Sequence, residues 1–311
     1  MKKTHHIDVN NTQKKDLRNL GYYHGFKGYR FIREDKNRIA FSSFDEVIAL
    51  NNFDMQLKAL LYPKVLFIET ALKNYLIEAL LDHSQSDMFN EIYNKSLIDY
   101  KSYTGKKNYK YHYTRRLKLK RKIYDALIRD YGKKSVVSHF FDMDRQIPVW
   151  AIFETLSLGE FGTLFSCSCT EVKVYVSSVL HLPTNRNSNG LIVQHFIFAI
   201  KDLRNALAHN NVIFDTRFKT SEISNMLKNY LQEEMGIREI DYKYIDSYII
   251  MITYFLIHMG ESKKSCYEFV DSYINLTEML RKELPVDICN KILSTNHKNN
   301  MERTKKFIES E

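Results

Sequence analysis

Proline, glycine and cysteine are all scarce in this chain, and each shortage excludes a class of fold. The 311 residues include only four prolines and ten glycines, too few for the many tight turns of an all-β sandwich. The four cysteines form no Cys-x-x-Cys pair, so their spacing favours neither a zinc site of paired cysteines nor a disulfide framework. We expect reduced thiols in a cytoplasmic protein that has no metal site and no cofactor.

Long apolar segments are also few. The first residues, MKKTHHIDVNN, lack the apolar core of a secretory signal peptide. The most apolar stretch, residues 244–259, contains Asp246 and is shorter than the ~20 residues that a membrane-spanning helix needs. We therefore expect a buried helix there and no contact with a membrane.

Positive charge and aromatic side chains are abundant. The chain has 46 Lys and Arg against 37 Asp and Glu, a formal net charge of +9, together with 21 Tyr and 19 Phe. This combination is typical of proteins that bind nucleic acid. It is equally typical of bacterial proteomes rich in Lys, Asn and Ile, so composition alone leaves both explanations open.

Apolar residues recur at intervals of three and four along most of the chain, which predicts an all-α fold. Ser43 and Glu46 have the spacing of a capping box, at the start of a helix that is predicted to run to about residue 81. Pro63 is expected to break or bend that helix. No break in composition divides the chain, so residues 1–311 are predicted to form a single helical domain with a polar, frayed end at 292–311.

Residues 148–165 are predicted to form one helix whose end is marked by a glycine. Trp150 is expected in the core of the fold. Glu154, one turn later, is either a pocket residue or a solvated residue with a capping role, and the pattern does not separate these alternatives.

One segment differs from the rest in its charge. Residues 101–122 contain ten Lys or Arg and no acidic residue, interleaved with four tyrosines, and helix is expected to resume near Leu117. Cations contact phosphates and tyrosine rings stack on bases, so we predict that this basic insert binds RNA. The alternative is a solvated, flexible insertion. The predicted contacts are Lys106, Lys107, Lys110, Arg115, Arg116, Lys118, Lys120, Arg121 and Lys122, with Tyr109, Tyr111 and Tyr113.

A polar cluster follows an apolar run near residue 200. The run LIVQHFIFAI leads into KDLRNALAHNN, residues 201–211, and the helix is predicted to continue to about His209. At about 100° per residue, Asn205 and His209 lie about 40° apart, and the long side chain of Arg204 reaches the same sector. Buried polar groups are costly unless they are satisfied, so a polar cluster at the end of a buried helix is typical of a functional site.

An arginine, an amide and an imidazole in one sector suit the cleavage of RNA without a metal. Histidine exchanges protons near neutral pH, arginine stabilises the extra negative charge of a phosphorane, and Asn205 can orient the imidazole or contact phosphate. One helix supplies one such set, so two copies in a dimer would supply both a base and an acid. The alternative is a purely structural helix end, where the helix dipole favours His209 and Arg204 pairs with a carboxylate.

The spacing Arg204-Asn205-x-x-x-His209 resembles the catalytic motif of HEPN ribonucleases. Three further blocks resemble the Abi family of bacterial abortive-infection proteins, in its AbiD/AbiF-like branch. These blocks are NLGYYHGFKGYRF at 19–31, FIETALKNYLIEAL at 67–80 and IPVWAIFETLSLGEFGTLFS at 147–166. Their order and spacing agree with the family over about residues 19–218.

The resemblance implies an all-α, HEPN-type helical bundle with an N-terminal helical extension and the basic insert. It implies that Arg204 and His209 are catalytic and that Asn205 is the polar residue of the motif, in a metal-independent, homodimeric endoribonuclease of anti-phage defence. Glu69 matches a glutamate of the family that is expected in the same pocket, and Lys73 stands where the family often has arginine. The alternative is a non-catalytic protein that holds a structured noncoding RNA.

Overall fold

The computed structural model of the chain describes residues 7, 9–183 and 185–311. These residues form fifteen α-helices and no β-strand, which confirms the predicted all-α fold class. The chain divides into two compact units: unit 1 contains Met1–Leu66 and Asp202–Glu311, and unit 2 contains Phe67–Lys201. Both boundaries fall inside helices, so no turn or loop marks them. The single domain predicted from the sequence stays a prediction.

The α-helices are numbered in chain order. A π-helical stretch, Gly21–Phe26, joins the first two, and a 3₁₀ helix, Asp99–Tyr103, precedes the fifth. Their bounds are α1 (Asn11–Leu20), α2 (Lys27–Tyr29), α3 (Phe44–Ser84), α4 (Phe89–Lys95), α5 (Tyr109–Asp130), α6 (Ser135–Asp142), α7 (Val149–Phe153), α8 (Leu158–Cys167), α9 (Thr170–Val179), α10 (Leu191–Ala208), α11 (Asn225–Glu234), α12 (Asp246–His258), α13 (Lys263–Glu283), α14 (Val286–Ile292) and α15 (His297–Ser310).

Helix α3 is capped at its start and continues through its proline. The Glu46 N–H donates to the Ser43 hydroxyl at 3.4 Å, as the capping box predicts, but the Glu46 carboxylate accepts from the Ser42 N–H at 2.8 Å instead of the Ser43 N–H. Pro63 does not end the helix, because an apolar stripe on both sides of it stays buried and compensates for one lost hydrogen bond. That stripe consists of Leu57, Leu61, Val65, Ile68, Leu72, Leu76 and Leu80.

The single helix predicted over 148–165 is two helices, α7 and α8. A capping box starts the second one, since the Ser157 hydroxyl accepts from the Glu160 N–H and the Glu160 carboxylate accepts from the Ser157 N–H. Trp150 is 43% exposed, with its ring edge against Phe140, so the expectation of a core tryptophan is wrong. The short α7 buries its other four side chains, which leaves the indole on the outer face.

The core of unit 2 forms where α5 packs against α8. The buried face of α5 includes Leu119, Ile123 and Leu127. Gly162 in α8 lies close to α10, where an added Cβ would come within 3.1 Å of the Phe198 ring. A larger side chain at this position would therefore push the two helices apart.

The core of unit 1 contains α12, the buried helix expected at 244–259, whose residues from Asp246 to Leu256 are all buried. The Asp246 carboxylate accepts from the Tyr273 hydroxyl and from the Ser294 hydroxyl at 2.9 Å, and lies 3.1 Å from His297 Nδ1. A buried carboxylate is stabilised by such partners, and these contacts tie α12 to α13 and α15. In the part of the chain that the structure describes, no helix combines the length and the apolarity needed to cross a membrane.

The end of the chain is a packed helix, α15, so the expectation of a frayed segment at 292–311 is wrong. Met301, Phe307 and Ile308 are buried and α15 contacts α12 and α13. The segment is polar in composition, but its few apolar residues lie on one face, and an average over the segment hides such a stripe.

We expect Met301→Ala to lower the free energy of unfolding by about 2–5 kcal/mol, because it leaves a cavity at a buried position. Chemical denaturation followed by circular dichroism measures the change. Glu302→Ala, at an exposed position of the same helix, is the control and should change stability by about 0.5 kcal/mol or less. Equal stability of the two variants would contradict the packing of α15.

Candidate active site

The predicted motif occupies the C-terminal end of α10. None of residues 191–200 is exposed: six of them are buried and four are half-buried. Exposure begins with the motif itself, where Asn205, Ala208 and His209 face solvent and Arg204 is half-buried. The opposite side of these turns is buried and consists of Leu203, Ala206 and Leu207. The polar groups of the motif therefore share one face of the helix.

Helix α10 ends immediately before His209 in a Schellman turn. The Asn211 N–H donates to the carbonyl five residues earlier at 2.8 Å, and the Asn210 N–H donates to the carbonyl three residues earlier at 3.3 Å. Asn210 has a φ of 52°, the left-handed conformation that this turn requires and that asparagine tolerates better than most residues. The His209 N–H still donates to the Asn205 carbonyl at 3.0 Å, so the backbone keeps the imidazole one turn after the amide.

An ion pair from α3 holds this turn in place. The Lys58 ammonium donates to the Asn210 side-chain oxygen at 2.8 Å and lies 3.5 Å from the Asn210 carbonyl oxygen. It also pairs with Asp54, one turn earlier in α3, at 2.8 Å, and the two side chains are 10% and 0% exposed. A buried, hydrogen-bonded pair restrains its neighbours far more than a surface ion pair does. We call Asp54 and Lys58 the α3 latch.

Asp54 is the residue of the latch with the most partners. Its carboxylate accepts from the N–H groups of Ile213 and Phe214, both at 2.9 Å, and from the Tyr29 hydroxyl at 3.0 Å. Burial and then the charge of Asp54 raise the pKa of Tyr29 well above its ordinary value, so the phenol keeps its proton and donates it. The latch thereby joins α2, α3 and the residues that follow the motif.

A second ion pair binds the N-terminal block to the segment after the motif. Arg217 pairs with the buried Asp215 at 2.6 Å. It also donates to the carbonyls of Gly28 at 2.7 Å and Phe31 at 2.6 Å, and its guanidinium lies 4.1 Å from the Phe31 ring centre. Asp215 in turn accepts from the Arg33 N–H at 2.5 Å. The block at 19–31 is thus held by paired charges.

Asp202 fixes the motif from the other side. Its carboxylate is 4% exposed and accepts from the Thr220 N–H at 3.1 Å and from the Thr220 hydroxyl at 2.9 Å. Asp202 lies two residues before Arg204, and the α3 latch acts immediately after His209. The backbone of the motif is therefore held at both of its ends.

A cleft of about 510 Å³ lies beside the end of α10. Four amide side chains and two aromatic rings contribute to its lining. Amides both donate and accept hydrogen bonds, and an unpaired base can stack on a ring face. Phe218 is half-buried, whereas Tyr29 is 3% exposed with its ring stacked on Phe214, so Phe218 is the more accessible of the two rings. The residues concerned are Asn19, Asn51, Asn210, Asn211, Tyr29 and Phe218.

The wall of this cleft includes the π-helical stretch Gly21–Phe26, a rare backbone form that is frequent at functional sites. Gly25 in this stretch lines the cleft. A Cβ at Gly25 would lie 2.7 Å from the Leu20 carbonyl oxygen, so the stretch depends on glycine at that position. This is the physical reason for one of the glycines in the first block.

The remaining predicted pocket residues belong to unit 2. Glu69 is 7% exposed and pairs with Lys73, one turn later, at 2.9 Å. Glu154 is exposed at the end of α7, and its carbonyl accepts from the Lys134 ammonium at 2.5 Å. The structure thus brings Glu69 and Lys73 together and leaves Glu154 at the surface. A shared pocket with Arg204 stays a prediction.

The basic insert is helical for most of its length, because α5 begins at Tyr109 and not near Leu117. Its outer face carries the cations. Arg115 and Lys120 are half-buried. The exposed cations among the predicted RNA contacts are Lys106, Lys107, Lys110, Lys118, Arg121 and Lys122.

Arg116 is not part of this surface, and its prediction as an RNA contact is wrong. It is 7% exposed and donates to the carbonyls of Leu97 and Tyr93, both at 2.7 Å. Its guanidinium lies 3.7 Å from the Tyr93 ring centre. The helical phase puts Arg116 on the same inner face as Leu119 and Ile123, so its charge serves the packing of unit 2.

Two of the three predicted tyrosine contacts pack against each other. The rings of Tyr109 and Tyr113 stack at 6.0 Å, and the edge of each meets Tyr100. Tyr111 is 66% exposed. Among these three, Tyr111 therefore offers the most open ring to an unpaired base.

The sequence did not predict the α3 latch. Asp54 and Lys58 have the i, i+4 spacing of an ordinary surface ion pair, and this spacing does not reveal that both are buried. The helical periodicity of α3 does indicate that Asp54 is buried. Asp54 is three residues before Leu57 and seven before Leu61, so it lies on the apolar face of the helix. A carboxylate on an apolar stripe requires a partner, which marks it for attention.

No match to this chain was found among curated proteins or among solved structures. The model of the Abi-like protein family does match, over residues 15–215. The matched range contains the block at 19–31, the α3 latch, the basic insert and the motif. Because the match covers more than half of its length, the chain belongs to the Abi-like protein family.

Proposed function

We propose that this protein is a metal-independent endoribonuclease of bacterial anti-phage defence. Membership in the Abi-like family supports abortive-infection defence in general. The finer proposal is carried by one observation: Arg204, Asn205 and His209 share one face at the end of a helix whose preceding ten residues are buried or half-buried. Asp202 and the α3 latch hold this end at both sides, and preorganised groups are what phosphodiester cleavage requires.

In the proposed reaction, the 2′-hydroxyl of RNA attacks the adjacent phosphorus. One imidazole accepts the hydroxyl proton and a second imidazole donates a proton to the leaving 5′-oxygen. Arg204 stabilises the negative charge on the phosphorane oxygens through its paired N–H donors. Asn205 orients the imidazole or donates to phosphate. The products are a 2′,3′-cyclic phosphate and a 5′-hydroxyl.

The reaction needs two imidazoles, whereas one chain contributes one His209. We therefore propose that two copies of the chain form a composite site, related by a twofold axis. The exposed position of the motif supports this, because a second copy can approach it from solvent. Ala208 lies within the same exposed face, and its small side chain leaves room for the helix of a partner.

The cleft beside α10 suits the substrate strand. Asn210 and Asn211 line it and follow His209 directly. A base seated among the amides and beside the ring of Phe218 would keep its phosphate close to the end of the helix. In this proposal the cleft supplies binding and the exposed face of the motif supplies chemistry.

We expect His209→Ala to lower the rate of RNA cleavage about 10²–10⁴-fold through the loss of proton transfer. Arg204→Ala should lower it about 10²–10³-fold through the loss of charge stabilisation. The assay follows cleavage of labelled RNA in buffer that contains EDTA and no added divalent metal, with the cyclic phosphate end identified by mass spectrometry.

His139→Ala is the matched control, because His139 is an exposed histidine outside the motif, and it should cleave like the parent protein. Circular dichroism checks that each variant is folded. Cleavage by His209→Ala at the parental rate would rule out the mechanism, and so would products that carry a linear phosphate from the outset.

The composite site predicts that an inactive copy suppresses an active one. When excess His209→Ala protein is mixed with the parent and allowed to exchange, each mixed dimer has one imidazole, so activity should fall with the fraction of mixed dimers. The measurement is cleavage rate at constant parent concentration. His139→Ala added in the same amount should not lower it. An unchanged rate with excess His209→Ala would mean that one chain is sufficient.

A second candidate function is RNA binding without cleavage, in which the protein holds a structured noncoding RNA. The observation that favours it is the location of the positive charge. Residues 101–122 contain ten Lys or Arg and no acid, whereas the rest of the chain has one more acidic than basic residue. The net charge of the protein thus resides in the basic insert, whose exposed cations lie on or beside α5.

We expect the triple variant Lys118→Ala, Arg121→Ala, Lys122→Ala to weaken RNA binding and to reduce its salt dependence. Each lost phosphate contact lowers the slope of log affinity against log salt by about 0.7–0.9. Fluorescence anisotropy over a series of salt concentrations measures both quantities. The control removes three exposed lysines from other helices, Lys264, Lys298 and Lys306. Equal losses in the two triple variants would mean that the insert has no specific role.

A further inference from the structure

Unit 2 contains a cluster of three potential metal ligands that plays no part in the proposed chemistry. His83 lies at the C-terminal end of α3, Cys169 is the residue before α9, and Glu171 lies in the first turn of α9. One ligand atom from each, a ring nitrogen, the sulfur and a carboxylate oxygen, lie within 4.8 Å of one another. Three ligand types from two helices thus converge on one point.

The closest pair in the cluster has the separation of two ligands on one zinc ion. His83 Nε2 lies 3.4 Å from Cys169 Sγ. In a tetrahedral site with Zn–S near 2.3 Å and Zn–N near 2.0 Å, the sulfur and the nitrogen are about 3.5 Å apart. The carboxylate of Glu171 is exposed, so rotation of its side chain brings an oxygen into reach of the same ion.

Ser96 orients two of the three ligands. Its hydroxyl lies 3.0 Å from His83 Nδ1, and its carbonyl accepts from the Cys169 N–H at 2.8 Å. A histidine that ligates through Nε2 commonly donates its other ring N–H to such a partner, which fixes its tautomer and its orientation. Ser96 is 0% exposed, so this support is rigid.

We propose that His83, Cys169 and Glu171 bind one Zn²⁺ ion, with a solvent molecule as the fourth ligand. A thiolate and an imidazole suit zinc, whereas Mg²⁺ and Ca²⁺ prefer all-oxygen sites. The sequence predicted no metal site, because the three residues follow no zinc-binding spacing. His83 lies 86 residues before Cys169. This proposal does not rest on the proposed ribonuclease activity.

The ion would fasten the end of α3 to the start of α9. The two helices are already joined by the Tyr175 hydroxyl, which donates to the Glu78 carboxylate at 2.9 Å. Metal ligation adds a much stronger link one to two turns further along. We therefore expect the ion to stabilise the folded chain and to raise its melting temperature.

The test uses the full chain, stripped of metal with a chelator, freed of any affinity tag and titrated with ZnCl₂ against a chromophoric competitor. The parent should bind one zinc ion per chain, and zinc should raise its melting temperature. Cys169→Ser should lose this site. Cys167→Ser is the matched control, because Cys167 is also a buried cysteine and lies two residues away outside the cluster, and it should bind zinc like the parent.

Two further measurements keep the result decisive if Cys169→Ser folds poorly. Glu171→Gln changes an exposed side chain and should weaken zinc binding tenfold or more while leaving the circular dichroism of the apo-protein unchanged. Co²⁺ in place of zinc should give thiolate-to-cobalt charge-transfer absorption in the parent and in Cys167→Ser.

The proposal is overturned if the parent binds no zinc above the level of Cys169→Ser, or if Cys167→Ser loses zinc equally. It is also overturned if the cobalt protein shows no thiolate band, since the three groups are then a hydrogen-bonded cluster only. Zinc stoichiometry and RNA cleavage are separate readouts, so either proposal can fail without the other.

Discussion

The buried carboxylate of Asp54 is the contact on which the geometry of the motif depends. It accepts from two backbone N–H groups beyond the motif, from a phenol in α2 and from Lys58. Lys58 in turn donates a hydrogen bond to Asn210, the residue at which the chain turns after α10. Removing one member of such a buried set leaves the other charge unpaired, at a cost of about 3–5 kcal/mol. The carboxylate thus restrains the backbone of the motif without being part of the motif itself.

This arrangement separates the charges that build the site from those that face solvent. Asp54, Lys58, Asp215 and Arg217 are paired among themselves, and their pairs are buried wholly or in large part. The motif side chains project from the backbone that these pairs restrain. A rigid frame with exposed polar groups is what the proposed reaction would require, because little reorganisation would remain when the charge of its transition state develops.

The sequence predicted those features that follow from periodicity and failed where burial depends on partners far along the chain. Helical spacing gave the all-α class, the covered run before the motif and the shared face of Asn205 and His209. The same spacing shows that Arg116 lies in phase with Leu119, but composition alone suggested a surface cation. Residues 292–311 are polar on average, and this average concealed the apolar stripe through which α15 packs against α12 and α13. Composition patterns describe a segment as a whole, whereas packing acts on single faces.

The α3 latch and the motif are also far apart in sequence, and this has a consequence for how the site forms. Lys58 and Asn210 are separated by 152 residues, and Asp54 and Ile213 by 159. Between them the chain leaves unit 1 after Leu66 and returns to it at Asp202. Contacts of such high sequence separation close late, because the entropy of the intervening chain must first be lost. The turn at Asn210 is therefore restrained only after both segments of unit 1 have come together. The geometry of the motif thus depends on the folded chain and is not fixed by helix α10 alone.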